Sequence, residues 1–464
     1  MLKAAFQAEE GHDSPSRARM RRNLIMEDLM MKRRVAKTAF MLGLVGLLLL
    51  PALVYTQVTG RVLNPRLRQT YTSLSAAVAA AAANDTLLVS GTLSGTDAIL
   101  DSAATPPDTP PAGLKILAGR GLRGTLQISS ADCAGTTNGA ILDVSARAGA
   151  LTIVGLKLVV PNGCIGVFSA GGGNPLTVRN LLIQRATTTA NIQGIVLDNE
   201  SGGPFLIEGN TIPSVGSTAP FGVGILVDGD GATAIDATVR RNRVGSAGAP
   251  TRQGIVITEA PTNSSVLVER NIVDGGNNVN SLLGIGVGAS DTVTVQRNTV
   301  RNFVGAAAPD AIGIGIGEST NVQILRNAIT NNDVGVAVCD GAACGGIDNA
   351  ETADTVVINF NNITSTVANA TGLLFVPDPA ATAPLDATQN WWGAADGPRD
   401  IDGDADACPE ASGATCGTPQ PAAPDGTGLP VNANAGAGNP ECGTGAGLVT
   451  TCPFRTSPVS PAGA

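Results

Sequence analysis

The sequence predicts an all-β chain that winds into a parallel β-solenoid, in which short strands stack coil upon coil. A six-residue phrase recurs about every 29 residues, and each period is rich in β-branched residues and in turn-forming Gly and Asn. Only 3% of the 464 residues are aromatic. A core tiled with Val, Ile, Leu and Ala suits regular stacked layers, and repetition at a period of this length is typical of solenoids.

The N-terminal region carries a predicted export or membrane signal. Residues 1–37 form a polar, basic extension expected on the cytoplasmic side, and residues 38–60 contain no charge. Basic residues directly before an apolar segment are typical of a signal peptide or an uncleaved signal anchor. The 23 uncharged residues are long enough to span a bilayer, which favours an anchor, whereas Pro51 favours a signal peptide. The body is therefore expected in the cell envelope, either membrane-anchored or secreted.

Charge and histidine content exclude several classes of function. Beyond residue 38 the chain carries 20 basic and 33 acidic residues, and its single histidine, His12, precedes the apolar segment. An acidic body is a poor partner for nucleic acid, which needs clustered Lys and Arg. A mechanism that uses imidazole as a base or a metal ligand is likewise excluded from the folded body.

The recurring phrase, [Val/Ile]-x-x-Asn-x-[Val/Ile], marks one turn in each coil. Nine copies begin between residues 153 and 387, and the first two carry Leu156 and Leu181 in place of Asn. We expect the asparagines to stack in a turn, because Asn tolerates a left-handed backbone and its amides can hydrogen-bond as a ladder. The stacked residues are Asn210, Asn242, Asn271, Asn298, Asn327, Asn361 and Asn390.

A second phrase, Gly-Ile-x-x, places another strand in each period. Its four clearest copies begin thirty residues apart, at Gly194, Gly224, Gly254 and Gly284. Because side chains alternate between the faces of a strand, the residue after each glycine is expected to point inward and the next one outward. The outward face is therefore small and apolar, with acidic residues at one end.

Flanking segments complete the predicted organisation. Residues 61–70 are a linker, and residues 71–392 are a solenoid of about eleven coils. The solenoid begins with an Ala-rich helix over residues 71–83, which is expected to cap its open end. Residues 393–464 lose the repeat and are expected to form an irregular C-terminal cap and tail, rich in Gly, Pro and Cys.

The eight cysteines all follow the apolar segment, as expected for disulfides outside the cytoplasm. Cys133 and Cys164 lie one period apart, so a bridge between them would join adjacent coils. Sequence proximity suggests the pairs Cys339–Cys344, Cys408–Cys416 and Cys442–Cys452.

With these features the sequence resembles the right-handed parallel β-helix repeat proteins of bacterial and archaeal envelopes. Residues 390–398, Asn-Trp-Trp-Gly-Ala-Ala-Asp-Gly-Pro, look like the closing motif of that group, and residues 453–458 look like its terminal phrase. The resemblance covers residues 70–458 and implies a right-handed parallel β-helix of the pectate-lyase-like superfamily. It implies no single activity, because the fold serves lyases, polygalacturonases, copper-processing proteins and surface proteins alike.

Asp198 and Asp228 are the strongest catalytic candidates, with Glu259, Glu200 and Asp230 as supporting acids. Neighbouring coils place the two aspartates about 5 Å apart. Such a pair can separate its pKa values and act as acid and nucleophile, or it can hold Ca²⁺. The alternative is a group of solvated acids at strand ends beside glycine-rich turns.

Arg241, Arg270, Arg297 and Arg326 each precede the asparagine of their copy and are expected to stack on four consecutive coils; we call them the arginine strip. Like charges at this spacing are unfavourable unless anions neutralise them. The strip therefore predicts a site for the carboxylates or sulfates of an anionic polysaccharide. The alternative is a solvated edge with local ion pairs, for example to Glu208.

Asp400, Asp402, Asp404 and Asp406 alternate as the ligands of Ca²⁺ loops do, and these four carboxylates would repel one another without a cation. Their spacing departs from the EF-hand pattern, because no acid stands at the twelfth position. The alternative is an acidic, solvated loop. No cofactor other than Ca²⁺ is expected.

Together these features predict an extracytoplasmic surface protein that is structural, adhesive or polysaccharide-binding, without catalysis. The alternative is a carbohydrate-active enzyme, a polysaccharide lyase or glycoside hydrolase, that uses the stacked carboxylates. A metal-handling protein is disfavoured, because the body lacks His and is poor in Met. The expected partners are an extended polysaccharide or a cell-surface component, with the membrane reached through residues 38–60 and no nucleic acid.

Overall fold

The computed structural model is a stack of coils in which successive coils add strands to parallel sheets. It describes residues 60–102, 107–119, 124–217, 222–306, 311–338, 355–375, 385–395, 397–400, 428–433, 449–451, 454–460 and 462–463. Within them the strands form three sheets, numbered 1 to 3 in the order in which each coil passes through them. The predicted all-β parallel solenoid is confirmed.

The strands of each sheet follow one another at intervals of about one period. Sheet 1 contains Arg61–Asn64, Gln69–Tyr71, Thr86–Ser90, Leu114–Ala118, Leu151–Val154, Leu176–Arg179, Gly202–Glu208, Ile235–Arg240, Ser265–Glu269, Val293–Gln296, Gln323–Leu325, Val357–Asn359, Leu385–Asp386 and Val449–Thr450. Sheet 2 contains Thr92–Ser94, Thr125–Gln127, Lys157–Val160, Leu182–Arg185, Thr211–Ile212, Arg243–Val244, Ile272–Asp274, Thr299–Arg301, Ala328–Thr330 and Asn362–Thr364. Sheet 3 contains Ala140–Asp143, Cys164–Ala170, Ile192–Glu200, Val223–Gly229, Gln253–Thr258, Leu283–Gly288, Ile312–Gly317, Val334–Val338, Thr371–Phe375, Arg399–Asp400 and Pro430–Ala433.

Nine of the described coils contribute a strand to every sheet, compared with the eleven coils predicted. The difference lies at the two ends. The coil that begins at Thr86 has no described strand of sheet 3, and the coil that begins at Leu385 has none of sheet 2. The repeat alone could not distinguish these partial coils from complete ones.

The core lies between the three sheets and is filled by alternate residues of each strand. Ile255 and Ile285 of sheet 3 are fully buried, which confirms the predicted inward positions, and Val239 and Val268 of sheet 1 are fully buried as well. Burying each such side chain stabilises the fold by roughly 1.5–3 kcal/mol. The repeated glycine fits a tight corner: a Cβ atom at Gly254 would lie only 2.2 Å from a methyl carbon of a valine in the core.

The asparagine column is present, and its amides form a continuous buried ladder. From Asn210 to Asn361, each Nδ2 donates a hydrogen bond to Oδ1 of the asparagine in the next coil, at 2.9–3.1 Å. Each backbone N–H in the column, up to Asn361, donates to that same Oδ1 atom. The ladder thus uses both the Nδ2 donor and the Oδ1 acceptor of these amides, and it fixes the alignment of each coil on the next.

The left-handed backbone expected at the asparagines lies instead at the residue before each of them. The next side chain, whether Asn or Leu, is buried, so the reversal of the chain falls on its more exposed neighbour. Nine successive coils have a residue with positive φ at this place, and we call the set the left-handed column. It consists of Gly155, Asn180, Gly209, Arg241, Arg270, Arg297, Arg326, Phe360 and Gln389.

The ends of the solenoid differ from the predicted organisation. Residues 61–70 are not a linker: Arg61–Asn64 pairs antiparallel with Gln69–Tyr71 and with the first parallel strand, so this hairpin extends sheet 1. Its alternating buried residues, such as Val62, explain why it joins the core. Beyond residue 392 the chain is not wholly irregular, because Arg399–Asp400, Pro430–Ala433 and Val449–Thr450 add strands to sheets 3 and 1.

Short helices accompany the first coils. The helix expected over residues 71–83 is confined to Leu74–Ala79, and Ser73 caps its N-terminus by accepting a hydrogen bond from the N–H of Ala76. That this helix closes the solenoid stays a prediction. A 3₁₀ turn covers Gly95–Ala98, and a second α-helix covers Ser130–Ala134.

A disulfide joins Cys133 to Cys164, with 6.2 Å between the Cα atoms. It links the helix Ser130–Ala134 to the strand Cys164–Ala170, as the spacing of the two cysteines predicts. The other six cysteines lie outside the described residues, and their pairing stays a prediction.

The end of the chain folds back along the coils. The backbone N–H of Arg455 donates to the carbonyl of Asn390, and the side-chain amide of Asn362 exchanges two hydrogen bonds with the backbone of Val459. One coil further back, the N–H of Gly463 donates to the carbonyl of Arg326. Residues 454–460 and 462–463, which we call the tail segment, therefore border the left-handed column on the side of sheet 2.

Several predictions fall on residues outside the described part of the chain. These include the extension 1–37 and the apolar segment up to residue 59. Within the described residues, every helix is too short or too polar to cross a lipid bilayer.

We expect Asn298→Ala to lower the free energy of unfolding by about 3 kcal/mol or more, because it leaves several buried partners without a hydrogen bond. Asn298 accepts from the N–H and Nδ2 of Asn271 and donates to Val268 and Asn327. Urea unfolding followed by circular dichroism would measure the loss. Asn280→Ala, at an exposed asparagine, is the control; equal effects of the two substitutions would contradict a stabilising ladder.

Candidate functional site

The arginine strip occupies four consecutive positions of the left-handed column. The backbone N–H of each arginine donates to a carbonyl of the following coil, from Arg241 to Glu269 at 3.1 Å and from Arg297 to Leu325 at 3.0 Å. Neighbouring coils are about 4.8 Å apart, so the backbones of successive arginines are separated by that interval. The predicted stacking of the four arginines is therefore observed.

The first arginine of the strip belongs to an ion-pair cluster. Glu208 is almost fully buried and lies 3.2 Å from Arg241, 3.0 Å from Arg240 and 2.9 Å from Arg179. Burial raises the pKa of Glu208, but the hydrogen bond from Arg240 and the three positive charges outweigh burial and hold it below its usual value. Glu208 therefore stays ionised and pairs with Arg241 at one end of the strip, although the cluster keeps a net positive charge.

The remaining three arginines have no acidic partner within the described residues. Arg326 is exposed, and Arg270 and Arg297 are half-buried. The Nε–H of Arg297 is shielded from solvent and lacks a hydrogen-bond acceptor in the described part of the chain. The fold thus presents three successive positive groups whose hydrogen-bonding capacity it does not use.

The left-handed conformation of the strip lowers the stability of the fold. A left-handed conformation costs an L-residue with a Cβ atom about 1 kcal/mol or more, whereas Gly or Asn adopts it readily. Gly155, Asn180 and Gly209 hold the same place in the three preceding coils. Strain retained at successive positions points to a function of the strained residues.

The acidic candidates lie where two strands of sheet 3 end. The carboxyl groups of Asp198 and Asp228 are within hydrogen-bonding range of each other, and Glu259 follows on the next coil, exposed and with φ of +53°. Burial, together with the charges of Glu259 and Asp198, raises the pKa of Asp228 to about 7. The structure therefore brings the predicted pair together.

Of the supporting acids, Glu200 and Asp230 do not join this pair. Glu200 is fully buried and contacts Arg147 at 3.5 Å, and it accepts hydrogen bonds from Ser169 and from the N–H of Gly172. The strand register shifts between Leu197 and Glu200, which turns Glu200 away from the outward face. Strict alternation, the basis of the sequence prediction, does not hold through such an irregularity.

Asp230 stabilises a turn instead. Its carboxylate accepts hydrogen bonds from the N–H groups of Ala232 and Thr233, and these bonds lower the pKa of Asp230. It is therefore ionised, and it supports the local backbone rather than the Asp198–Asp228 pair.

Chemically, the acidic pair offers one carboxyl group, that of Asp228, which is partly protonated near neutral pH. Within the described residues, no three His, Cys, Asp or Glu side chains are arranged to hold a metal ion. Of the predicted Ca²⁺ ligands, Asp400 is described only as part of the strand Arg399–Asp400, and Asp402, Asp404 and Asp406 lie outside the described residues.

Sequence reasoning missed the residue that continues the strip. The left-handed column holds Phe360 in the coil after Arg326. The phrase at Ile358 carries Phe where four earlier copies carry Arg, so its position was readable from the repeat.

We expect Arg297→Asn to raise the free energy of unfolding by about 1 kcal/mol, because Asn adopts the left-handed conformation more readily. Urea unfolding would measure the gain. Arg243→Asn, at an exposed arginine in a strand of sheet 2, should give no such gain. A loss of stability in Arg297→Asn would mean that the strip supports the fold.

Stability should also depend on pH through Asp228. Its pKa in the folded protein, about 7, exceeds the value of 3.8 for an unperturbed aspartate, so the folded state is progressively destabilised as the pH rises from about 4 to about 7. Asp228→Asn should therefore raise the melting temperature above pH 7 and change it little near pH 4. Asp230→Asn, which removes a favourable carboxylate, should lower it at pH 7. Equal effects of Asp228→Asn at both pH values would refute the raised pKa.

One family model and several solved structures are similar to this chain. No curated protein matches the chain. Among solved structures, the periplasmic alginate epimerase AlgG is similar at 13% identity over 66% of this chain and 81% of that one, with a TM-score of 0.26. A double mutant of AlgG gives 13% identity, 64% and 83% coverage and a TM-score of 0.30. Residues 193–374 match the family model described as the right-handed β-helix region. Over these residues, the chain is similar to the right-handed β-helix family.

Proposed function

We propose that this protein binds an extended anionic polysaccharide without cleaving it, and that the arginine strip is the binding site. The observation that carries the proposal is the run of three arginines without acidic partners, each held in a left-handed conformation that Gly or Asn would adopt more readily. Strain and mutual repulsion both oppose this arrangement, and a bound polyanion would relieve the repulsion.

A linear polymer suits the geometry of the strip better than a small anion. The positive groups recur once per coil along a straight line, so one ligand must present several negative groups in sequence. Guanidinium groups pair with carboxylates or sulfates through two parallel hydrogen bonds. Glu208 pairs with Arg241, so the part of the strip without an acidic partner among the described residues is Arg270, Arg297 and Arg326.

We place this activity outside the cytoplasm. The Cys133–Cys164 disulfide supports the placement, because stable disulfides persist in oxidising compartments. The uncharged segment 38–60, preceded by basic residues, supports export or anchoring through the membrane. A surface location would give the strip access to polysaccharides of the envelope.

The second candidate function is cleavage of a polysaccharide by Asp198 and Asp228. It is favoured by the raised pKa of Asp228, which would allow that carboxyl group to donate a proton near neutral pH. The partner carboxylate, Asp198, would act as base or nucleophile.

The test compares the full-length protein with the triple variant Arg270→Gln, Arg297→Gln, Arg326→Gln. Immobilised polygalacturonate, alginate and heparin are the probes, and single-stranded DNA is a fourth. With each arginine contributing about 1 kcal/mol, the triple variant should bind the preferred polysaccharide about a hundredfold more weakly. Binding should also weaken as salt is added. Arg68→Gln, at an exposed left-handed arginine outside the strip, is the control and should bind as the wild type does.

Three results would contradict the proposal. One is the absence of salt-sensitive binding to every polysaccharide, and another is equal binding by the triple variant and the wild type. The third is DNA binding as tight as polysaccharide binding. New reducing or unsaturated ends that disappear in Asp228→Asn would instead establish the enzyme.

A further inference from the structure

Phe360 continues the arginine strip by one coil. The backbone N–H of Arg326 donates to the carbonyl of Asn359 at 3.3 Å, which places Phe360 directly beyond Arg326 in the left-handed column. Its φ is +60°, close to the values of the four arginines. The column therefore presents three free positive side chains followed by an aromatic ring.

Phe360 gains little from the fold in this position. A bulky side chain at positive φ is rare, because its Cβ atom crowds the backbone. Phe360 is half-buried, and within the described residues it is not one of the half-buried apolar side chains that pack against the core, as Phe454 and Leu429 do. Neither core packing nor backbone preference explains an aromatic residue here.

The surroundings of Phe360 are held in place by other contacts. On the side of sheet 1, Asn359 donates to Asp386 at 3.2 Å, and on the side of sheet 2, Asn362 bonds to the backbone of Val459 in the tail segment. These amides are already hydrogen-bonded within the protein, and the tail segment borders the column. The aromatic ring is the feature left at the end of the strip.

We infer that Phe360 is a stacking platform for a sugar ring of the polysaccharide, at the end of the site formed by Arg270, Arg297 and Arg326. Aromatic rings pack against the C–H groups on the face of a pyranose, and this apolar contact is insensitive to salt. One coil advances about 4.8 Å, comparable to one sugar residue of an extended chain. The ligand class is therefore a polysaccharide with one carboxylate or sulfate per sugar. The inference rests on the proposed function of the strip.

The test uses Phe360→Asn in the full-length protein, with oligogalacturonate and inorganic polyphosphate as two probes. Polyphosphate carries the negative charges without a sugar face. Phe360→Asn should bind oligogalacturonate about fivefold to tenfold more weakly and polyphosphate as the wild type does. The fold-loss for oligogalacturonate should persist at high salt, where the arginine contacts are screened.

Two controls make the result specific. Phe360→Tyr keeps the ring and should retain the affinity for oligogalacturonate. The melting temperature of Phe360→Asn should equal or exceed that of the wild type, because Asn relieves the strain, so weaker binding cannot be attributed to unfolding.

The outcomes separate this inference from the proposal on which it rests. Unchanged oligogalacturonate affinity in Phe360→Asn, with loss in the triple arginine variant, would overturn the platform and leave the strip intact. An equal loss of polyphosphate binding in Phe360→Asn would also overturn the platform, because polyphosphate has no ring to stack. Absence of wild-type binding to every polysaccharide tested, oligogalacturonate included, would overturn both.

Discussion

The buried amide ladder is the interaction on which the rest of the structure depends. A stack of coils held only by sheet hydrogen bonds and apolar side chains could slip by two residues without exposing its core, since side chains repeat with that period. The asparagines remove this freedom, because each amide must meet both its neighbours and the backbone carbonyls around it. A misaligned coil would leave buried donors unpaired, at a cost of about 1–3 kcal/mol each.

Because the ladder fixes the alignment of the coils, it also fixes the position of the residue before each asparagine. The residue before each asparagine takes the left-handed conformation in coil after coil, and the backbone geometry hardly differs whether that residue is Gly, Asn, Arg, Phe or Gln. The scaffold thus separates two tasks. Buried amides hold the coils together, while the side chains of the adjacent left-handed column can differ from coil to coil.

The sequence predicts much of this architecture, because a strict repeat lets one coil be read from another. Period, inward residues, amide ladder, coil-to-coil disulfide and stacking of the arginines all follow from spacing. What could not be predicted depends on local backbone detail. The sequence predicts the left-handed conformation at the asparagine, because Asn itself tolerates positive φ. The place where the chain turns depends on the packing of the whole stack, which the residue type does not reveal. Glu200 was placed outside because a register shift leaves no mark in the sequence.

The tail segment limits how this protein can change in length. Solenoids commonly grow or shrink by whole repeats, since each coil contacts only its neighbours. Here, hydrogen bonds from Arg455, Val459 and Gly463 reach three successive coils in reverse order. Inserting or deleting one coil between Arg326 and Asn390 would move these hydrogen-bond partners away from the tail segment. Coils before Asn271 make none of these contacts. Duplication is therefore tolerated far more readily in the first half of the array than in its last three coils.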